Sequence, residues 1–551
     1  MTEISDGAES GLYTRPSVVR AGPQSEAAQH APAVRADAAD RAGSRPWWRR
    51  PAPAAVGVIA CVLFFLCLAV AYSAQTNSDG AVFALAGWDL WHHNLLLHHW
   101  AMADASFITL EVPLDSLVEM VYGLGPQTMR ITGVLTFLLV AVVAMALACS
   151  GTSGSRAWRR SAVALLSLST PLCFGGITSL LLEMPNHLGT SAFILLAFLL
   201  YARFVDSRVA ALAVCAVLAA GQIGDETVRY IGVTAIVLVA VVRAVNLRSL
   251  RVPDLRMALA AVASIPLAEL LQAVMRHLGG YSLVPVNVQL APLSAWPANT
   301  KGTTTSLLFL YNLWQLHLPG KHSAGMFIAA VAGALAVLAG LYGLGRTVLR
   351  WRQADTVDRL ACLAVPLYLG SDTVSTVASP SYTHGYEFMG ILPLFAVLAA
   401  RNLPSVAARV RIEALVAAAA AGAVLLSGAL QPTVVAPQER LAAWLRAHQL
   451  THGLGSYWNA ASVTVDSGDA VQVRAVQKTP HSFAIYAWHT RTTWYDPSKV
   501  NANFFIAEPG RPTMTVADVE SVYGKPIKQY SVEGVYVLVY PFNLLDAFPR
   551  R

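Results

Sequence analysis

Residues 52 to 80 read APAAVGVIACVLFFLCLAVAYSAQTNSDG, an apolar run that ends near Tyr72 and is followed by the acidic residue Asp79. About 20 apolar residues suffice to cross a hydrocarbon core roughly 30 Å thick as an α-helix. The run lies far from the first residue and lacks a clear small-residue cleavage site. It therefore predicts a membrane span rather than a cleaved signal peptide.

Similar runs recur along most of the 551 residues. The chain is 55% hydrophobic and only 13% charged, and its mean hydropathy is +0.50, a composition typical of membrane proteins. We therefore predict a mainly α-helical, polytopic membrane protein with about eleven transmembrane helices. The predicted spans are residues 52–73, 130–149, 160–181, 186–203, 208–222, 230–246, 256–275, 324–345, 360–378, 388–401 and 411–430.

The net charge of +7 does not indicate a nucleic-acid binder, because the arginines are not gathered into one patch. Instead, every second predicted loop is rich in arginine. The positive-inside rule then places those loops and the N-terminus in the cytoplasm, and an odd number of spans places the C-terminal region outside. The predicted location is a bacterial plasma membrane.

Composition divides the chain into three parts. Residues 1–50, rich in Ala, Arg, Pro, Gly and Ser, are predicted to be a disordered cytoplasmic tail. Residues 51–431 form the membrane domain, with long outside segments at 74–129 and 276–323. Helix-like and strand-like patterns alternate over residues 432–551, which predicts an extracytoplasmic α/β domain.

Cysteine and histidine patterns give no metal site. All six cysteines fall inside predicted spans, which argues against disulfides and CxxC zinc sites. His92, His93, His98 and His99 lack the i, i+3 or i, i+4 spacing of helical zinc ligands. We interpret residues 93–107 as a helix lying in the membrane interface, and the tryptophans nearby as an aromatic belt.

Several acidic residues form two groups according to their predicted position. Asp79, Glu183, Asp225 and Glu387 lie at the outside ends of predicted spans, where a carboxylate must face water, a partner or a cavity. They are therefore candidates for function. A second group, in the first outside segment, is expected to be simply solvated; it comprises Asp89, Asp104, Asp115 and Glu119.

Three stretches carry a family resemblance: FITLEVPLDSLVEMVYGLGPQTMRITGVL (107–135), LLEMPNHLGTSAFILLAFLLYARF (181–204) and GYEFMGILPLFAVLAARNL (385–403). With the acidic residue after the first span, they resemble the C-type glycosyltransferase superfamily of integral membrane enzymes. The likeness is closest to its bacterial branch, which is related to protein mannosyltransferases and aminoarabinose transferases. The resemblance covers roughly residues 52 to 431 as architecture.

The resemblance implies inverting transfer of a hexosyl or pentosyl group from a polyprenyl-phosphate carrier to an envelope glycan, lipid or protein acceptor. By position, Asp79 is the candidate catalytic base, and Glu183 a second carboxylate that orients the acceptor or a metal. We expect the two to converge on one outward cavity. No cofactor is predicted, and participation of a divalent cation stays open. The candidate substrate-binding residues are Arg229, Lys321, Asp225, His384 and Glu387.

Two other functions stay open at this stage. A transporter or flippase would carry polar residues near the midplane of its spans, whereas these charges lie at the ends of the predicted helices. A catalytically silent member that binds lipid or scaffolds envelope assembly is compatible with an Asp79 that stands alone, in SDG, without a second carboxylate beside it.

Overall fold

The computed structural model describes residues 53–183, 186–247, 252–286, 288–317, 323–376, 378 and 386–548. Most of the described residues before residue 431 are helical, because long apolar stretches satisfy their backbone groups within each helix. The helices here are α1 (Pro53–Ala71), α2 (Ser78–Trp91), α3 (Glu111–Tyr122), α4 (Pro126–Ala148), α5 (Gly154–Ser169), α6 (Thr178–Leu182), α7 (Asn186–Phe204), α8 (Arg208–Gly224), α9 (Thr234–Leu247), α10 (Val252–His277), α11 (Trp296–Leu310), α12 (Ala324–Leu349), α13 (Thr356–Thr373), α14 (Ile391–Asn402) and α15 (Val410–Ala429).

Each of the eleven predicted spans contains a helix, but their lengths differ. Over the described residues, five helices are long and apolar enough to cross a membrane: α4, α7 from His187, α10, α12 and α15. Gly57–Ala71 and α8 are apolar but shorter. The multi-pass, mainly helical class is thus supported, whereas the count of eleven spans is not confirmed.

The predicted span at 160–181 is interrupted. Helix α5 ends at Ser169, a 3-10 turn follows over Thr170–Gly175, and α6 is only five residues long. Pro171 contributes to the break, because it has no backbone N–H to donate to the preceding turn, and the backbone leaves helical geometry at Cys173, with φ −58° and ψ 125°. Phe174 then adopts a positive φ of 52°.

The C-terminal region, Pro437–Phe548, contains a mixed sheet between helices. Its elements are α16 (Pro437–Ala447), β3 (His452–Gly455), α17 (Tyr457–Asp466), β4 (Gln472–Lys478), β5 (Phe483–Ile485), β6 (Thr490–Arg491), β7 (Phe504–Ala507), α18 (Val516–Tyr523), β8 (Lys528–Val532) and β9 (Val535–Val539). The six strands of the sheet lie in the order β5-β4-β3-β7-β9-β8, where β3 pairs in parallel with β4 and β7 and the outer pairs are antiparallel.

A three-stranded sheet ties this region to the two long connecting segments. Strand β1 (Trp100–Met102) pairs in parallel with β2 (Ser282–Leu283) and antiparallel with β6. The predicted interfacial helix over residues 93–107 is therefore wrong. The histidine-rich run forms turns and a buried strand, because its backbone finds hydrogen-bond partners in distant segments that local periodicity cannot reveal.

The same contacts correct the aromatic-belt interpretation for Trp100. That side chain is 1% exposed and its indole N–H donates to Asp89 Oδ2 over 2.7 Å. The other oxygen of Asp89 accepts from Arg491 Nη1, also over 2.7 Å. Asp89 therefore anchors the C-terminal region to the first connecting segment and is not a merely solvated carboxylate.

Asp115 and Glu119 also depart from the expectation of solvation. Both lie on α3 and are buried, at 3% and 2% exposure. Burial raises the pKa of Asp115 to about 7, and burial together with Asp115 raises the pKa of Glu119 to about 10. The sequence pattern of α3 could not show that this face packs inward.

Candidate functional site

Asp79 lies in the first turn of α2. Asn77 caps this helix by accepting a hydrogen bond from the Gly80 N–H over 3.1 Å, which sets where the helix begins. The positive end of the helix dipole favours a negative charge at this position. Asp79 Oδ1 accepts a hydrogen bond of 2.6 Å from the Tyr457 hydroxyl, whereas its Oδ2 has no hydrogen-bond partner within the described ranges.

Aromatic rings of the C-terminal region surround this carboxylate. The ring of Tyr457 lies 5.3 Å from that of Trp458 and 5.5 Å from that of Tyr486. Burial raises the pKa of Asp79, and the hydrogen bond from Tyr457 opposes that rise. The carboxylate is thus held in a partly desolvated position with one oxygen bound and the other open.

Glu183 approaches the same helix through its backbone. A Cβ atom added at Gly80 would lie 2.8 Å from the Glu183 carbonyl oxygen. The Glu183 carboxyl has different neighbours: Arg130 on α4, and Glu439 and Asp466 of the C-terminal region. Burial raises its pKa well above the usual range, and neither carboxyl oxygen has a hydrogen-bond partner in the described parts of the chain.

Asp79 and Glu183 thus approach each other through the backbone, whereas their carboxyl groups interact with different residues: Asp79 with Tyr457 by a hydrogen bond, and Glu183 with Arg130, Glu439 and Asp466 electrostatically. Arg130, whose charge acts on Glu183, is itself engaged, because its Nη2 bonds Glu439 Oε1 over 3.2 Å. A shared role of Asp79 and Glu183 on one acceptor stays a prediction.

Asp225 and Glu387 are brought together by His187. Asp225 Oδ2 lies 2.6 Å from Nδ1 of the imidazole, and Glu387 Oε2 lies 3.1 Å from Nε2. Since both ring nitrogens face carboxylates, both donate and the ring carries a positive charge. Burial alone would raise the pKa of Asp225, but His187, Thr190 and the Thr227 N–H lower it to about 2.

This cluster extends toward Asp79 through Tyr386. The Tyr386 ring stacks on His187 at 6.1 Å and 18°, and its phenol interacts electrostatically with Glu387, Asp79 and Asp104. The carboxylates of Asp225 and Glu387 are thus committed to the imidazolium, and Tyr386 lies between that ion cluster and the candidate base.

The predicted cations have different outcomes. Arg229 lies in a π-helical turn, where its Nη2 bonds Glu269 Oε1 over 2.9 Å and its Nε bonds Gln222 Oε1 over 3.3 Å. Its charge is therefore already paired. Lys321 and His384 lie outside the described residues.

Arg511 is a cation near Asp79 that the sequence did not single out. Its Cζ atom lies 5.8 Å from the centre of the Trp458 ring. Burial and the Asp79 carboxylate raise the pKa of Tyr486, and Arg511 opposes that rise, so both charges lie close to this phenol. Arg511 Nε bonds Glu508 Oε2 over 2.9 Å, yet the side chain keeps 40% of its surface exposed.

No group of three or more His, Cys, Asp or Glu side chains is arranged to hold a metal ion over the ranges that the structure describes. The residues that sequence reasoning missed are Tyr457, His187 and Arg511. His187 stands in a stretch already noted for its acidic turn, LLEMPNHLG, and a histidine next to a helix start was a usable signal. No local pattern links Tyr457 or Arg511 to Asp79, because both lie far from it along the chain.

Comparison with known proteins finds a solved structure with a similar fold. No family model and no curated protein matches the sequence. The crystal structure of ArnT from Cupriavidus metallidurans bound to undecaprenyl phosphate matches at a TM-score of 0.51 and 12% identity, over 90% of this chain and 99% of that chain. The apo structure of that protein has a TM-score of 0.41 and 13% identity, over 90% and 98%. The chain therefore shares the fold of that ArnT structure, which agrees with the fold that the resemblance implies.

Proposed function

We propose that this protein is a membrane glycosyltransferase that moves a sugar from a polyprenyl-phosphate carrier to a cell-envelope acceptor on the outer face of the membrane. The observation that carries the proposal is the placement of Asp79. At the position where the resemblance puts the base, a carboxylate follows the first predicted span with one oxygen bound and one open. The solved structure with a matching fold contains undecaprenyl phosphate, which supports a lipid-linked donor.

The chemistry follows from this geometry. The acceptor hydroxyl attacks the anomeric carbon, forming the new C–O bond as the bond to the phosphate oxygen breaks. Asp79 Oδ2 takes the hydroxyl proton as nucleophilicity develops. The polyprenyl phosphate leaves with the bonding electron pair, so its developing charge needs cations or hydrogen-bond donors. The stereochemistry is inverted in this single displacement.

Arg511 is our choice for the group that receives the phosphate. Arg229 and Arg511 each pair with a glutamate over 2.9 Å, but the Arg511 side chain is more exposed, at 40% against 28%, and it lies beside the rings around Asp79. Its two terminal nitrogens have no hydrogen-bond partner within the described residues, so both can bind phosphate oxygens in a bidentate arrangement. The exposed face of Trp458, at 42%, can cover the apolar start of the lipid.

The test of the function is a transfer assay. Purified protein in lipid nanodiscs is incubated with polyprenyl-phosphate sugars and envelope extract, and labelled sugar in the acceptor fraction is counted. We expect transfer from at least one donor, with release of the polyprenyl phosphate in equal amount. Binding of polyprenyl phosphate without transfer from any donor would instead favour a catalytically silent lipid-binding protein.

Replacing Arg511 by glutamine is expected to lower kcat/KM for the lipid donor about ten-fold or more, the effect of losing a charged hydrogen bond. Arg511→Lys should recover part of the lost kcat/KM, because lysine keeps the positive charge but not the planar guanidinium group that binds phosphate with two hydrogen bonds. Inhibition by polyprenyl phosphate should weaken in parallel. Lys525→Gln, an exposed cation of the same region, is the control and should change neither quantity. Equal values for Arg511→Gln and the wild type would remove Arg511 from the phosphate site.

A further inference from the structure

The hydrogen bond between Tyr457 and Asp79 joins residues 378 positions apart. Asp79 belongs to the first connecting segment, and Tyr457 opens α17 of the C-terminal region. The donor is a neutral phenol and the acceptor a carboxylate at 2.6 Å, so the bond is charge-assisted and stronger than one between neutral groups. The candidate base is thus completed by a part of the chain that the family resemblance does not cover.

Several contacts set where the phenol lies. Helix α17 packs against α2, and Ser462 Oγ lies 3.0 Å from Ser78 Oγ, next to Asp79. Ser456 precedes the tyrosine and donates its hydroxyl hydrogen bond to Glu508. With Trp458 and Tyr486 packed around it, the Tyr457 ring has little freedom to turn away from Asp79.

We propose that Tyr457 is a positioning residue of the transferase site, which holds Asp79 Oδ1 so that Oδ2 faces the acceptor and which favours the ionised carboxylate. The inference rests on the proposed function, because it assigns a partner to the base of that reaction. It makes the C-terminal region a part of the active site rather than a separate module.

The expected consequence is a change in pH dependence. A hydrogen bond to the charged form lowers a carboxyl pKa, so removing the phenol raises the pKa of Asp79 further above its ordinary value. The base works only when ionised. The acidic limb of the rate profile must therefore move to higher pH, while rates well above that limb recover toward those of the wild type.

The test is Tyr457→Phe, which keeps the ring and removes only the hydroxyl. We expect kcat at the wild-type optimum to fall about ten-fold, the acidic limb of the kcat profile to shift upward, and KM for the lipid donor to stay unchanged. Infrared difference spectroscopy of the Asp79 carboxyl gives a second readout that needs no turnover. Its titration should shift in the same direction.

Tyr540→Phe is the matched control, because it removes a tyrosine hydroxyl of the same region that donates to the Gly524 carbonyl and not to Asp79. It should leave the pH profile and the infrared titration unchanged. If Tyr457→Phe folds and has the pH profile and the infrared titration of the wild type, while Asp79→Asn is inactive, the positioning role is overturned and the proposed function stands. If Asp79→Asn keeps full transfer, the proposed role of Asp79 as base fails independently of Tyr457.

Discussion

Replacement of Asp79 by asparagine is expected to lower the rate of sugar transfer about 10³-fold. A positioned general base contributes roughly 10²- to 10⁴-fold, and the amide cannot accept the proton of the acceptor hydroxyl. Asparagine still offers a carbonyl oxygen to the Tyr457 hydroxyl, so the contact between α2 and α17 should persist. The measurement is the initial rate at saturating lipid donor, with donor binding measured separately.

Asp546→Asn provides the control for this experiment, since Asp546 is an exposed carboxylate of the C-terminal region. It should transfer at the wild-type rate. Donor binding should also survive in Asp79→Asn, because the carboxylate acts on the acceptor and not on the lipid phosphate. An Asp79→Asn protein that transfers as fast as the Asp546→Asn control would rule out Asp79 as the base.

The second large effect concerns stability. Replacing Gly133 by alanine is expected to lower the free energy of unfolding by at least about 3 kcal/mol, at or above the upper end of ordinary overpacking. A Cβ atom at this position of α4 would overlap the Leu182 carbonyl oxygen and lie 3.1 Å from the Glu183 backbone nitrogen. Backbone atoms cannot rotate away as a flexible side chain does. The helix and the turn that carries Glu183 would have to separate.

Thermal unfolding in detergent micelles measures this loss. The control is Gly422→Ala in α15, where an added Cβ meets no described atom within 4 Å. There the substitution should stabilise the helix by about 0.5–1 kcal/mol, because alanine has a higher helix propensity than glycine. Equal unfolding temperatures for the two variants would contradict the close packing of α4 against the Leu182–Glu183 turn.

The helical segments could be predicted because a membrane helix needs only a local property, about 20 apolar residues in a row. The same reasoning misplaced boundaries where a proline interrupts the pattern, as at Pro171. It also failed over the strand at Trp100, whose partners, Thr490–Arg491 and Ser282–Leu283, are distant in sequence. Strand pairing depends on segments that a local pattern does not contain.

The residues of the candidate site could also be predicted only in part. Asp79 could be singled out because it follows a predicted span, and Asp225 and Glu387 because they stand in short turns between spans. The sequence could not show which of these three carboxylates has which role. His187 commits Asp225 and Glu387 to an ion cluster and Glu269 occupies Arg229, so these carboxylates and this cation have protein partners that no spacing rule predicts.

The sequence by itself determined a multi-pass helical protein, a resemblance to C-type glycosyltransferases and a carboxylate that follows the first predicted span. These features depend on composition, on hydrophobic run length and on short stretches of chain. Only the tertiary structure decided which groups surround that carboxylate. Tyr457, Tyr486 and Arg511 approach Asp79 because the C-terminal region packs on α2, and such long-range packing is set by the shape and charge of whole surfaces.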